Sequence, residues 1–93
     1  MQHLPKIIIR DAAIDAICHG ANLAAPGILE ISASIKVGDE AALFSQKGEL
    51  VAFGESIYTS QDILKMKNGI VVKTTKVFMD RGTYPSMWGK NAR

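Results

Sequence analysis

The stretch at residues 70–79, IVVKTTKVFM, constrains the fold more than any other part of the chain. Six of its ten residues are β-branched, a composition that loses χ1 freedom in a helix and suits the pleated surface of a strand. A strand of this length needs partners for its backbone groups and cover for its apolar side chains, so further strands are required. The chain supplies them as short runs. Residues 4–9 (LPKIII) read as a strand with Pro5 at its start, and residues 28–31 set Ile28 and Glu30 against Leu29 and Ile31. The segment Val37-Gly38-Asp39-Glu40 is a turn. Residues 41–45 and 50–58 are extended pieces separated by Gln46-Lys47-Gly48-Glu49, a spacing that predicts an antiparallel hairpin.

Two segments carry helical signals instead. Asp11 is a natural N-cap, and Ile14, Ile17, Cys18 and Ala21 follow at one-face helical spacing, with Gly20 as the stop, so a helix is predicted over residues 11–19. Thr59-Ser60-Gln61-Asp62 fits a capping box and Asn68-Gly69 closes the segment, which predicts a second short helix over residues 60–67. Between the first helix and residue 28, NLAAPG has no sustained periodicity and reads as an ordered loop with a Pro-Gly turn. Residues from Asp80 onward are turn-like. The expected fold is mostly β (α+β), a compact barrel or sandwich of short strands with two small helices.

With 93 residues the chain has length for one domain, and no apolar run exceeds four residues, far short of the roughly 18 needed to span a bilayer. The first five residues are too short and polar for a signal peptide, and the single Cys18 cannot close an internal disulfide, which points to a reducing cytoplasm.

Charge is unevenly distributed. Residues 11–62 hold eight acids and two bases, whereas residues 63–93 hold seven bases against Asp80 alone, and Lys6 and Arg10 add to the basic ends. If the first and last strands lie side by side, these bases share one face that attracts phosphates; a scatter of solvated lysines is the plainer alternative.

No constellation for catalysis is visible. Two histidines and one cysteine do not reach four ligands for a structural zinc, Asp39-Glu40 lies in a turn where the carboxylates diverge, and there is no phosphate-binding or nucleophile-elbow motif. No catalytic residue, metal or cofactor is expected. Cys18, on the apolar stripe, is read as a core residue.

Three segments together resemble one family: residues 10–28 (RDAAIDAICHGANLAAPGI), 58–79 (YTSQDILKMKNGIVVKTTKVFM) and 80–89 (DRGTYPSMWG). They are similar to the C-terminal PUA domain of the RNA-guided pseudouridine synthases of the box H/ACA particle, the dyskerin family, in its archaeal form. The most family-specific parts are HGANLAAPG and the ending TYPxxW, and the likeness covers nearly the whole chain. It implies a PUA-type pseudo-β-barrel of about six strands with two flanking helices, and a catalytic aspartate residing in a separate, preceding domain. Residues 1–5 then read as an interdomain connector or an artificial start, and residues 80–93 as a tail packing on the barrel. The chain is read as one domain of a longer synthase, with a stand-alone PUA protein as the alternative.

The resemblance also implies a partner and a surface. The partners are RNA, either the lower stem and ACA end of a guide RNA or a tRNA, and the synthase's own catalytic domain, with no membrane. Carried over residue by residue, the RNA-binding positions are Arg10, His19, Gly20, Ala21, Asn22, Leu23, Ala24, Pro26 and Gly27, with Lys73 and Lys76 on the last strand. Glycines and alanines let a nucleotide approach the backbone, whose N–H and C=O groups can read unpaired base edges. His19 can cap the helix or meet a ligand, and Asn22 can read a base edge or cap carbonyls locally. Tyr84 and Trp88 can stack on bases or cover the barrel's open end. A protein-interaction module that buries Leu23, Ala24 and Pro26 against a partner is the competing class.

Overall fold

The computed structural model describes residues 4–32 and 34–79. In chain order they form β1 (Lys6–Ile9), α1 (Asp11–Cys18), β2 (Leu23–Ala24), a single 3-10 turn (Ala25–Gly27), β3 (Ile28–Ile31), β4 (Glu40–Phe44), β5 (Leu50–Ser56), α2 (Ser60–Lys65) and β6 (Ile70–Val77). The six strands make one sheet in the order β2-β6-β5-β4-β1-β3, antiparallel except for the parallel pair β1 and β4. Strands β2 and β3 stand at opposite ends of that order yet are joined only by Ala25–Gly27, so the sheet must curl back on itself into a nearly closed barrel. Curvature comes from register shifts in four of the five strand pairs, each of which bends and twists the ladder.

The barrel interior is aliphatic. Ile7 and Ile9 of β1, Leu43 of β4, Val51 of β5 and Val71 and Val72 of β6 are all fully buried in it. Helix α1 closes one end by inserting Ile14, Ile17 and Cys18, the i, i+3, i+4 stripe. None of the three phenylalanines joins this core. They lie on the outer sheet face, where Phe53 meets Phe78 edge to face at 4.7 Å and Lys6 and Lys76 sit over the Phe44 and Phe78 rings at 5.5 and 5.4 Å.

Several local expectations are corrected. Arg10, not Asp11, is the N-cap of α1, with no side-chain cap bond; Asp11 is the first helical residue, where its charge still favours the helix dipole. Ala21 falls off the apolar stripe and is exposed, because Gly20 takes φ +93° and ends the helical register before it. The segment after α1 is not all loop, since Leu23–Ala24 pairs with β6. Helix α2 is capped as expected, the Asp62 N–H donating to Thr59 Oγ1 at 3.1 Å, but it ends at Lys65 because Met66 is already extended. Strands β1 and β6 are not neighbours. Strands β4 and β5 lie between them, so Lys6 and Lys76, aligned through Ala42 and Phe53, share the outer face about three strand spacings, or ~14 Å, apart. The expectations for residues 1–5 and 80–93, including Tyr84 and Trp88, fall wholly or largely outside the described residues.

Candidate nucleic-acid interface

A cleft of about 270 Å³ lies between α1 and the segment that follows it. One wall is the small-residue face of the helix, Ala12, Ala13 and Ala16, with Ile17; the other is Asn22, Leu23, Ala24, Pro26 and Gly27, and Arg10 completes the lining. Among the described residues lining it, Arg10 alone carries charge. A mostly apolar slot walled by small side chains, with one guanidinium, suits a flat ring attached to an anion.

The far wall is held in place from three sides. At the start of α1, the Arg10 N–H donates to the Gly27 carbonyl at 2.8 Å and Arg10 Nε donates to the Pro26 carbonyl at 2.9 Å, which ties the Pro-Gly turn to the helix N-terminus. The Nε bond leaves the two Nη groups of the guanidinium out of that tie. Within the wall, the Leu23 side chain is only 1% exposed and belongs to the barrel core, so the segment is anchored by hydrophobic burial. At the sheet, Asn22 Oδ1 accepts from the Thr74 N–H at 3.1 Å, and Thr74 Oγ1 donates to the Ala21 carbonyl at 2.7 Å. Gly27 has no left-handed backbone requirement. It is needed for space, because a Cβ there would stand 3.0 Å from Ala13 Cβ and 3.2 Å from Leu23 Cδ1.

Six of the eleven expected positions therefore line one cleft: Arg10, Asn22, Leu23, Ala24, Pro26 and Gly27. His19, Gly20 and Ala21 form the exposed bend beyond it. There His19 Nδ1 lies 2.8 Å from the Asp15 carbonyl, a helix-capping geometry, with the side chain 51% exposed. Asn22 bonds to strand β6, 52 residues away, rather than capping helix carbonyls. Lys73 and Lys76 are exposed on β6 and outside the cleft lining, Lys73 opposite Glu55 and Lys76 over Phe78. The competing docking surface loses its main anchor, because Leu23 is already buried by its own barrel.

Sequence reasoning missed the alanine wall and Thr74. The alanines were legible, since Ala12 and Ala16 are four apart on the helix side away from Ile14 and Cys18. Thr74 was not, because its partners lie 52 and 53 residues away. Among the described residues no cluster of three His, Cys, Asp or Glu side chains could hold a metal ion, and no helix is long and apolar enough to cross a membrane.

Residues 5–78 match the family profile of the PUA domain. The chain is 52% identical over 92 residues to a probable tRNA pseudouridine synthase B of Pyrobaculum arsenaticum, covering 99% of this chain and 28% of that protein. It is 48% identical over 93 residues to the corresponding protein of Pyrococcus furiosus, covering all of this chain and 27% of the other. In three dimensions it is similar to a chain in an H/ACA RNP bound to a substrate RNA containing 2′-deoxyuridine, with TM-score 0.90, 50% identity, and 92% of this chain against 27% of that one. It is likewise similar to a chain of an archaeal box H/ACA sRNP Nop10-Cbf5 complex, with TM-score 0.88, 47% identity and coverages of 94% and 28%. The chain thus spans little more than a quarter of the length of these relatives.

Proposed function

Since the chain belongs to the PUA domain family, we propose that it is the RNA-anchoring domain of an RNA-guided pseudouridine synthase, holding the lower stem and ACA end of a box H/ACA guide RNA in the α1 cleft. The observation that carries this reading is the cleft itself. Small side chains line both of its walls, the burial of Leu23 anchors the far one, and the Arg10 guanidinium among the lining residues offers a charge-assisted contact to a phosphate. Preorganisation of this kind lowers the ordering cost of binding. The uridine isomerisation belongs to the portion of the synthase outside the matched quarter, and the RNA and the catalytic domain are the partners, in the cytoplasm.

The test is fluorescence anisotropy with one labelled hairpin ending in 3′ ACA and one with that trinucleotide replaced, using the wild-type chain and Arg10→Ala. The expected result is tighter binding of the ACA hairpin and a loss of roughly tenfold or more on substitution, since a charge-assisted contact and the turn anchor both go. Equal affinity for the two hairpins would remove the reading.

A further inference from the structure

Strand β2 is only two residues long, and its last full pair with β6 is Leu23 opposite Val72. Continuing that antiparallel register by two residues brings Ala21 opposite Thr74. The chain there has left strand geometry for the bend at Gly20, so a backbone ladder cannot continue. Side chains continue it instead. The Thr74 N–H is taken by Asn22 Oδ1 at 3.1 Å and Thr74 Oγ1 reaches the Ala21 carbonyl at 2.7 Å. Thr74 is the donor in both bonds, from its backbone to the Asn22 side chain and from its side chain to the Ala21 backbone, so one residue of β6 is joined to two successive residues of the loop.

We infer that Thr74 is a positioning residue for RNA recognition: with Asn22 it forms a latch that fixes residues 21–22, and through them the outer wall of the cleft, against β6. The inference rests on the RNA-binding reading of the cleft and adds a residue that lies outside the cleft lining. Its physical basis is that Asn22 lines the cleft while its carboxamide oxygen is committed to Thr74, which sets the orientation of the amide and of the peptide groups on either side. Without the latch, the wall between Gly20 and Leu23 keeps its covalent path but gains freedom that binding must remove. The same geometry sets the direction of the Asn22 Nδ2 group, whose two N–H donors are not used in the bond to Thr74.

The test compares Thr74→Val, which keeps the β-branched shape and the backbone N–H but removes the hydroxyl, with Thr74→Ser, which keeps the hydroxyl. Affinities for the ACA hairpin and its control are measured well below the melting temperature, and backbone amide exchange is followed at Thr74 and in residues 21–23. Loss of one bond in a preorganised site is expected to weaken the ACA hairpin about three- to tenfold while the control changes little, so the ratio between them narrows. Exchange in the loop should accelerate, and Thr74→Ser should return affinity to within about twofold. A Thr74→Val chain that binds the ACA hairpin like wild type while Arg10→Ala loses it overturns the latch and leaves the RNA reading standing. A wild-type chain that does not discriminate between the hairpins overturns both. Equal weakening of both RNAs by Thr74→Val, or a loss that serine does not restore, also overturns it, since either would mark a general packing defect.

Discussion

Replacing Gly27 with alanine puts a methyl group into the closest approach between α1 and the far wall of the cleft. The new Cβ would lie 3.0 Å from Ala13 Cβ and 3.2 Å from Leu23 Cδ1, against an optimum of about 3.5–4.0 Å for carbon pairs. Neither neighbour can retreat easily: Leu23 is 1% exposed, and Ala13 rides on a helix pinned by Ile14 and Ile17 at 0% and 1%. Overpacking of this kind costs about 1–3 kcal/mol, and the loss of unfolded-chain freedom on removing a glycine offsets about 0.4–1 kcal/mol of it. A net loss near 1 kcal/mol corresponds to a fall in melting temperature of about 4–8 °C for a domain of this size. The cheapest relief is for the Pro26-Gly27 turn to move away from α1, which lengthens the 2.8 and 2.9 Å bonds from Arg10 and shifts a cleft wall. RNA affinity should therefore fall by about fivefold or more beyond any effect of unfolding, as expected for two weakened bonds in one site. Thermal melts followed by circular dichroism and anisotropy titrations at 25 °C check both halves. A melting temperature equal to or above wild type would refute the packing argument, and a lowered one with unchanged affinity would show that this wall does not touch RNA.

Gly54 marks a second close approach, this time inside the sheet at the β5–β6 register shift. A Cβ there would run into Val72 Cγ1 and stand 3.0 Å from the Lys73 carbonyl oxygen, so Gly54→Ala should lower stability by about 2–3 kcal/mol in urea unfolding, and a change under about 0.5 kcal/mol would contradict it. Lys73→Ala and Lys76→Ala act differently, because both side chains are exposed on β6 outside the cleft. Each should flatten the log–log salt dependence of RNA binding by up to about 0.7 while leaving the ACA-to-control ratio alone. A change in that ratio would bring the lysines into direct recognition.

Much of the fold could be read from local chemistry. The β-branched run at residues 70–79 became the eight-residue β6, the Lys-Gly turn became the hairpin between β4 and β5, and Thr59 caps α2 through Asp62. These features depend on side chains near in sequence, where propensity and capping act. What escaped reading depends on register. The order that separates β1 from β6 by two strands cannot be derived from charge, and it divided the basic surface that the sequence suggested. The register shifts are equally silent. One of them, between Ile8 and Ile9, breaks the alternation expected in Ile28–Ile31, where Ile28 and Ile31 end up half-buried and Leu29 and Glu30 face outward. At the cleft, the motif residues were visible as a string, but Thr74 joins them only beside the β2–β6 pairing, through side-chain bonds that close across more than fifty residues.

That pairing also explains why the cleft residues do not divide into structural and functional sets. Leu23 lends its side chain to the core, its backbone to β6 and its remaining surface to the cleft. Asn22 and Gly27 likewise line the cleft while meeting a distant partner, Thr74 for one and Ala13 for the other. On the RNA-anchoring reading, a substitution in this segment should perturb stability and binding together, with both changes traceable to one displaced wall. Lys73 and Lys76 lie outside that coupling, since neither side chain is in the core or the cleft lining. The two kinds of residue are separable by experiment: correlated losses of melting temperature and RNA selectivity along residues 22–27, and salt-dependent losses of affinity alone at Lys73 and Lys76.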